Sequence, residues 1–114
     1  MAKVLDLNTI YGPTMELTLC DKDRTTLTLT TPTEGLVDEL KALTPDQLRR
    51  MEKGDKEAVE SIYDLAARII SRNRDGVKVT SKTLRGRYAM TLWHLLAFFE
   101  GYLEFINEAS AAKN

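Results

Sequence analysis

The chain has one cysteine, Cys20, in 114 residues. No internal disulfide can form, and no cysteine-based zinc site can be assembled within one copy. Cys20 reads as a small buried or strand-end residue. Histidine is equally scarce: His94 stands alone, and its helical neighbours Met90, Thr91, Ala97 and Phe98 include no carboxylate that would orient it as a base or ligand. Its role reads as structural or as part of the surface. A glycine-rich phosphate loop, a nucleophile elbow and paired metal-ligand spacing are all missing. The acidic pairs Asp21 with Asp23 and Asp38 with Glu39 fall in a polar turn and on a helix surface, where solvation is the default. No catalytic, cofactor or metal site is expected, and the chain reads as non-enzymatic. Long apolar runs are lacking too: the segment Leu92 to Ile106 is short and interrupted by Glu100 and Glu104, which excludes a bilayer span. The start, MAKVLDLNTIYG, lacks the basic-then-apolar layout of a signal peptide, and the end has no lipidation box. The expected location is cytoplasmic.

The balance of 43% hydrophobic and 29% charged residues is that of a globular protein, and the length suits one domain. That domain, 1–114, divides into an N-terminal arm and β-hairpin over 1–31 and a helical body over 32–112. Val4, Leu5 and Leu7 make a short alternation that ends at Gly12-Pro13, an edge strand or a loose arm. From Thr14 to Leu19 the residues alternate strictly, with Met15, Leu17 and Leu19 on one side. After the turn Asp21-Lys22-Asp23-Arg24, TTLTLTT repeats the pattern with Leu27 and Leu29 inward. Together they predict a hairpin whose leucine face rests on helices or joins a sheet from another copy. Nothing charged interrupts Thr25 to Thr31, so this strand also suits edge-to-edge pairing.

Thr33 is placed to cap a short helix carrying Leu36, Val37, Leu40 and Leu43. Thr44-Pro45-Asp46-Gln47 has the capping-box layout with proline at the first helical position, and it starts a second short helix that Gly54 closes. The acidic segment Glu52 to Asp64 leads into a long helix with a stripe of Ala58, Val59, Ile62, Leu65, Ala66, Ile69 and Ile70. Asn73-Arg74-Asp75-Gly76 is a turn in which Gly76 takes the positive φ that ends a helix. Thr80 or Ser81 caps a brief helix around Leu84, which Gly86 breaks. The architecture is α+β, mostly α: an N-terminal β-hairpin followed by a small helical bundle of two long and two or three short helices.

The last long helix is launched by Met90 and Thr91, with Thr91 as N-cap, and is the most apolar part of the chain. Leu92, Leu95, Leu96, Phe99, Tyr102, Leu103 and Ile106 share one face. Phe98 and Phe105 lie on a flank away from its centre, and Trp93 points to roughly the opposite side with Ala97, between Glu100 and Glu104. A small domain covers so wide an apolar circumference with difficulty. Trp93, Phe98, Tyr102 and Phe105 are therefore the candidate partner-binding residues.

Charge is unevenly laid out. Residues 68 to 87 hold Arg68, Arg72, Arg74, Lys78, Lys82, Arg85 and Arg87 against Asp75 alone, a local charge of +6 in a chain of net −1. Such a cluster faces a polyanion or the acidic parts of its own or a neighbouring chain. DGVKVTSKTLRGRYAMT has the outline of a helix-turn-helix with phosphate-contacting Lys82, Arg85 and Arg87. The recognition helix would be very short and contain Gly86, and nucleic-acid affinity sums over phosphate contacts that a slightly acidic chain supports poorly.

The hairpin, the acidic middle helix, YDLAARIISRNRDGVKVT at residues 63 to 80 and LLAFFEGYLEFI at 95 to 106 together resemble the tail assembly chaperones of long-tailed bacteriophages and prophages. The resemblance implies a non-enzymatic protein of the bacterial host cytoplasm that coats the helical tape measure protein, keeps it soluble and self-associates during tail morphogenesis. A small DNA-binding regulator and a structural phage tail or capsid subunit are the alternatives.

Overall fold

The computed structural model describes residues 5, 12–43, 49–50 and 52–112. Strands β1 (Thr14–Thr18) and β2 (Thr26–Thr30) form an antiparallel hairpin in register from Thr14 opposite Thr30 to Thr18 opposite Thr26. Its turn is held by Asp21, whose carboxylate accepts from the backbone N–H and the hydroxyl of Thr25. Those bonds favour the ionised form and hold the Asp21 carboxyl below its ordinary value. Arg24 completes the turn with φ +50°. The alternation then acts as read: Leu27 and Leu29 are buried, while the threonines face outward or sideways. Cys20 lies just beyond the strand and is exposed.

Helix α1 (Glu34–Lys41) begins where the sequence places it, with the Thr33 hydroxyl accepting from the Leu36 N–H at 3.3 Å. The Thr44-Pro45-Asp46-Gln47 start lies outside the described residues. Helix α2 (Lys56–Ile70) is capped by Asp55, which accepts from the Ala58 N–H at 3.1 Å. Its stripe is wider than the periodicity indicated: Tyr63 and Ala67 are buried beside Ile62, Leu65, Ala66, Ile69 and Ile70. Tyr63 goes inside because its hydroxyl finds the Met90 carbonyl at 2.6 Å, which offsets the cost of burying the phenol.

The segment after α2 is more constrained than a turn motif suggests. Helix α2 stops at Ile70, five residues before Asp75, so Gly76, with φ +73°, ends the loop and not the helix. Asn73 organises the loop with four bonds, donating to the Ile70 and Val77 carbonyls and accepting from the Asp75 and Val77 N–H groups. Helix α3 (Ser81–Arg85) carries a capping box in which Thr80 and Thr83 satisfy each other's backbone N–H. Helix α4 (Leu92–Ala112) follows.

At the start of α4 the Thr91 N–H donates to Nδ1 of His94 at 2.9 Å, and the Thr91 hydroxyl lies 3.0 Å from the same nitrogen. The lone histidine thus satisfies a helix-entry donor, in the place where a glutamate or glutamine completes a capping box.

The buried arc of α4 is turned from the one the sequence suggests. Leu95, Phe98, Phe99, Tyr102, Phe105 and Ala109 are inside, whereas Leu92, Leu96 and Ile106 are only half-buried and Leu103 is exposed. At about 100° per residue this is a rotation of roughly 60°. Phe98 and Phe105, expected on a flank, therefore join the core. Their rings pack on Tyr102 with centroids 5.6 and 5.7 Å away, and Phe98 also meets Phe99 at 5.5 Å. The rotation exchanges Leu92, Leu96, Leu103 and Ile106 for Phe98, Phe105 and Ala109, and it brings the two new rings against Tyr102, where aromatic contacts add to the gain from burial. The core lies where the leucine face of the hairpin meets α2 and α4, and the Tyr102 hydroxyl donates to the Thr30 carbonyl at 2.9 Å across that junction.

Candidate functional site

The two edges of the hairpin differ. On β2 the outward groups of Thr28 and Thr30 are occupied: the Thr30 N–H donates to the Arg72 carbonyl at 3.3 Å, the Arg74 N–H donates to the Thr28 carbonyl at 2.9 Å, and the Thr28 N–H donates to the Asp75 carboxylate at 2.7 Å. The pairing edge expected at Thr25 to Thr31 is thus closed by the chain's own residues 72–75. Register fixes the consequence for β1, because residues of the same parity pair across the hairpin. Met15 and Leu17 bond β2, and the N–H and C=O groups of Thr14, Glu16 and Thr18 point the other way. Among the described residues nothing pairs with that outer edge of β1.

Beneath β1 runs an apolar groove of about 230 Å³. Met15, Leu17 and Leu19 form one wall, and Met90, Ala97, Phe98 and Gly101 of the α4 side form the other. Met15 and Leu17 remain half-buried, unlike Leu27 and Leu29, because β1 overhangs the groove while β2 rests on the core.

The other shoulder of α4 carries Leu103, which is 41% exposed, with half-buried Leu92 and Leu96 on either side of it on the helical wheel, and Trp93, which is 80% exposed, at its outer edge. Of the four rings singled out from the sequence, Trp93 alone is on the surface. Phe98, Tyr102 and Phe105 are buried; Phe98 shows one edge in the wall of the groove, and a partner can meet Tyr102 and Phe105 only through a rearranged helix. Burial pushes the Tyr102 phenol up to about 12.

The basic cluster does not form one face. Arg68 is clamped by Glu39 at 2.7 and 2.8 Å and reaches Asp64 at 3.2 Å. The guanidinium holds the Glu39 carboxyl below its ordinary value. Arg85 pairs with Glu60 at 2.6 Å and lies 4.5 Å from the centre of the Tyr63 ring. Arg72 donates to the Thr31 carbonyl, and its Nε is buried without a hydrogen-bond partner among the described residues. Arg87 sits over Tyr88, while Arg74, Lys78 and Lys82 are exposed. Helix α3, the recognition helix of a helix-turn-helix reading, is five residues long, with Leu84 buried and Arg85 already engaged.

No family model, curated protein or solved structure matches this chain. Among the described residues no three His, Cys, Asp or Glu side chains converge on a point that would hold a metal ion. No helix there is long and apolar enough to cross a membrane. The chemistry on view is burial of apolar surface and strand pairing. Alternation had marked the β1 wall of the groove. The opposite wall was legible as two small residues four apart, Ala97 and Gly101, but their pairing with β1 depends on how far α4 is rotated.

Proposed function

We propose that the protein is a non-enzymatic assembly factor that binds an apolar helical segment of another polypeptide, in the manner of the phage tail assembly chaperones that its sequence resembles, with the tape measure protein as client. The reading rests on the exposure of Trp93 on a shoulder that also presents Leu103, Leu92 and Leu96. Large aromatic residues contribute disproportionately to protein contacts, and leaving this one in water forgoes the gain of burying it. Spacing along α4 at three, four and seven residues suits helix-against-helix packing. Glu100 and Glu104 flank Trp93 on the wheel and keep this surface dispersed until a client arrives.

The test uses the only tryptophan as its own probe. Titrating the protein with a soluble amphipathic peptide bearing leucines at helical spacing should shift Trp93 emission to the blue and protect it from iodide, and Trp93→Ala should abolish binding measured by calorimetry. Co-expression should then keep a tape-measure-like helical fragment soluble with the wild type and not with the variant. Emission unmoved by saturating peptide refutes the proposal. A structural tail subunit would bury the same shoulder and is told apart by its persistence in finished particles.

A further inference from the structure

We propose that the open edge of β1 pairs with β1 of a second copy, antiparallel about a two-fold axis, so that two hairpins become one four-stranded sheet. This deepens the self-association part of the reading above, but it stands on the strand and not on the client.

The asymmetry between the edges is the first ground. Exposed strand edges are templates for pairing, and proteins close them with loops, charge or bulges. This chain closes β2 at Thr28 and Thr30 with Arg72, Arg74 and Asp75, and among the described residues nothing closes β1. Two strands alone are also marginal, and pairing them into four lends stability.

The sequence of β1 supplies the second ground, because one register is self-complementary. The outward groups belong to Thr14, Glu16 and Thr18, so only pairings that join these even-numbered residues make ladder bonds. Setting Glu16 opposite its own copy places two carboxylates face to face, which is unfavourable. A shift of two residues removes the clash. Glu16 then faces Thr18, Leu17 faces Leu17, Met15 faces Leu19, and Thr14 faces Cys20. Every apolar side chain of the strand meets an apolar partner on the groove side, and every polar one meets a polar partner on the other.

The groove is the third ground. In this arrangement the two grooves open toward each other beneath the joined strands, each lined by Met15, Leu17 and Leu19. A hairpin is about 10 Å wide, close to the interaxial distance of packed helices, so doubling it brings the two copies of α4 together. The faces presented there are Ala97 and Gly101, small enough for close approach. The contact is isologous and closes at two copies.

Mass in solution and a register-specific cross-link test the inference. The wild type should sediment at twice 12.9 kDa. Glu16→Pro should return it to one copy, because proline removes an N–H that the hairpin does not use. Ala97→Arg, at an exposed helix position, should do the same without touching the strand, and circular dichroism should show both variants folded. Thr14→Cys should form covalent dimers on oxidation through bonds from position 14 to Cys20 of the other copy. Within one copy these positions are six residues apart along a nearly extended chain, roughly 20 Å, beyond disulfide reach. A wild type of 12.9 kDa up to about 1 mM, a doubled mass retained by both folded variants, or cross-links that map elsewhere would each overturn the proposal.

Discussion

Replacing Asn73 by alanine should be among the most destabilising changes available at a partly solvated position. The side chain makes four hydrogen bonds: 2.8 Å to the Ile70 carbonyl, 2.7 Å to the Val77 carbonyl, 3.1 Å from the Asp75 N–H and 3.0 Å from the Val77 N–H. One satisfies an otherwise unpaired carbonyl at the end of α2, and the others fold residues 72–75 against the β2 edge. Each is worth about 1 kcal/mol net, and water reclaims part of what is lost at a half-buried site, so Asn73→Ala should cost about 3 kcal/mol. In urea at fixed protein concentration, followed by circular dichroism, the midpoint should fall by roughly 1.5–2 M. Asn73→Asp is the sharper probe. It keeps the two acceptor bonds but turns a carboxylate oxygen toward the Ile70 and Val77 carbonyls, so it should be as damaging as alanine at neutral pH and recover in acid, when the protonated oxygen can donate again. A loss below about 0.5 kcal/mol for the alanine variant, within the range of ordinary surface changes, would refute this account of the loop.

Other consequences follow from single residues. The Tyr102 phenol is raised to about 12 and Tyr63 is raised as well, in both cases chiefly by burial, against an ordinary value of 10.0. The neutral phenols are therefore favoured in the fold: their contribution is complete below pH 10 and should be lost as pH climbs from about 10 to about 12, which urea midpoints on either side will register and Tyr102→Phe should blunt. Ala89, with φ +47°, is a non-glycine residue in the left-handed region, so Ala89→Gly should stabilise by up to about 1 kcal/mol in the same assay. Trp93→Ala should change stability by less than about 0.5 kcal/mol while removing client binding, because the ring is 80% exposed.

Local rules carried the fold a long way. Thr33, Thr80 and the glycine at 86 punctuate helices where side-chain chemistry places them, and the leucine alternation of β2 points inward as the period of two requires. What escaped was set by tertiary geometry. The strand that looked suited to edge pairing, Thr25 to Thr31, is closed by a segment more than 40 residues later in the chain, and no propensity encodes that docking. The rotation of α4 was likewise invisible, since an almost wholly apolar helix has no strong preference for one face. Phe98, Tyr102 and Phe105 were read as contact residues because aromatic rings suit both a core and an interface. The +6 cluster looked like a surface in one dimension, but folding sends Arg68 toward α1, Arg85 toward α2 and Arg72 under the hairpin.

The rotation of α4 also determines whether the two proposed contacts compete. Measured around the helix at about 100° per residue, Ala97, Gly101 and His94 occupy one shoulder of the buried arc with Glu108 among them, Leu92, Leu96 and Leu103 occupy the other, and Trp93 stands on the crest with Glu100 and Glu104 on either side of it. A second copy paired along β1 would use the first shoulder, and a client helix the second. Carboxylates on the crest oppose any single apolar partner that tries to cover both, since burying them unpaired is costly. Client binding and pairing are then separable: Trp93→Ala should leave the doubled mass intact, and Glu16→Pro should leave peptide binding intact in a single copy. Had the arc stayed where the sequence pattern put it, Phe98 and Phe105 would fall beside Gly101 on the groove shoulder and Leu103 would lie inside. One surface would have had to serve both partners in turn.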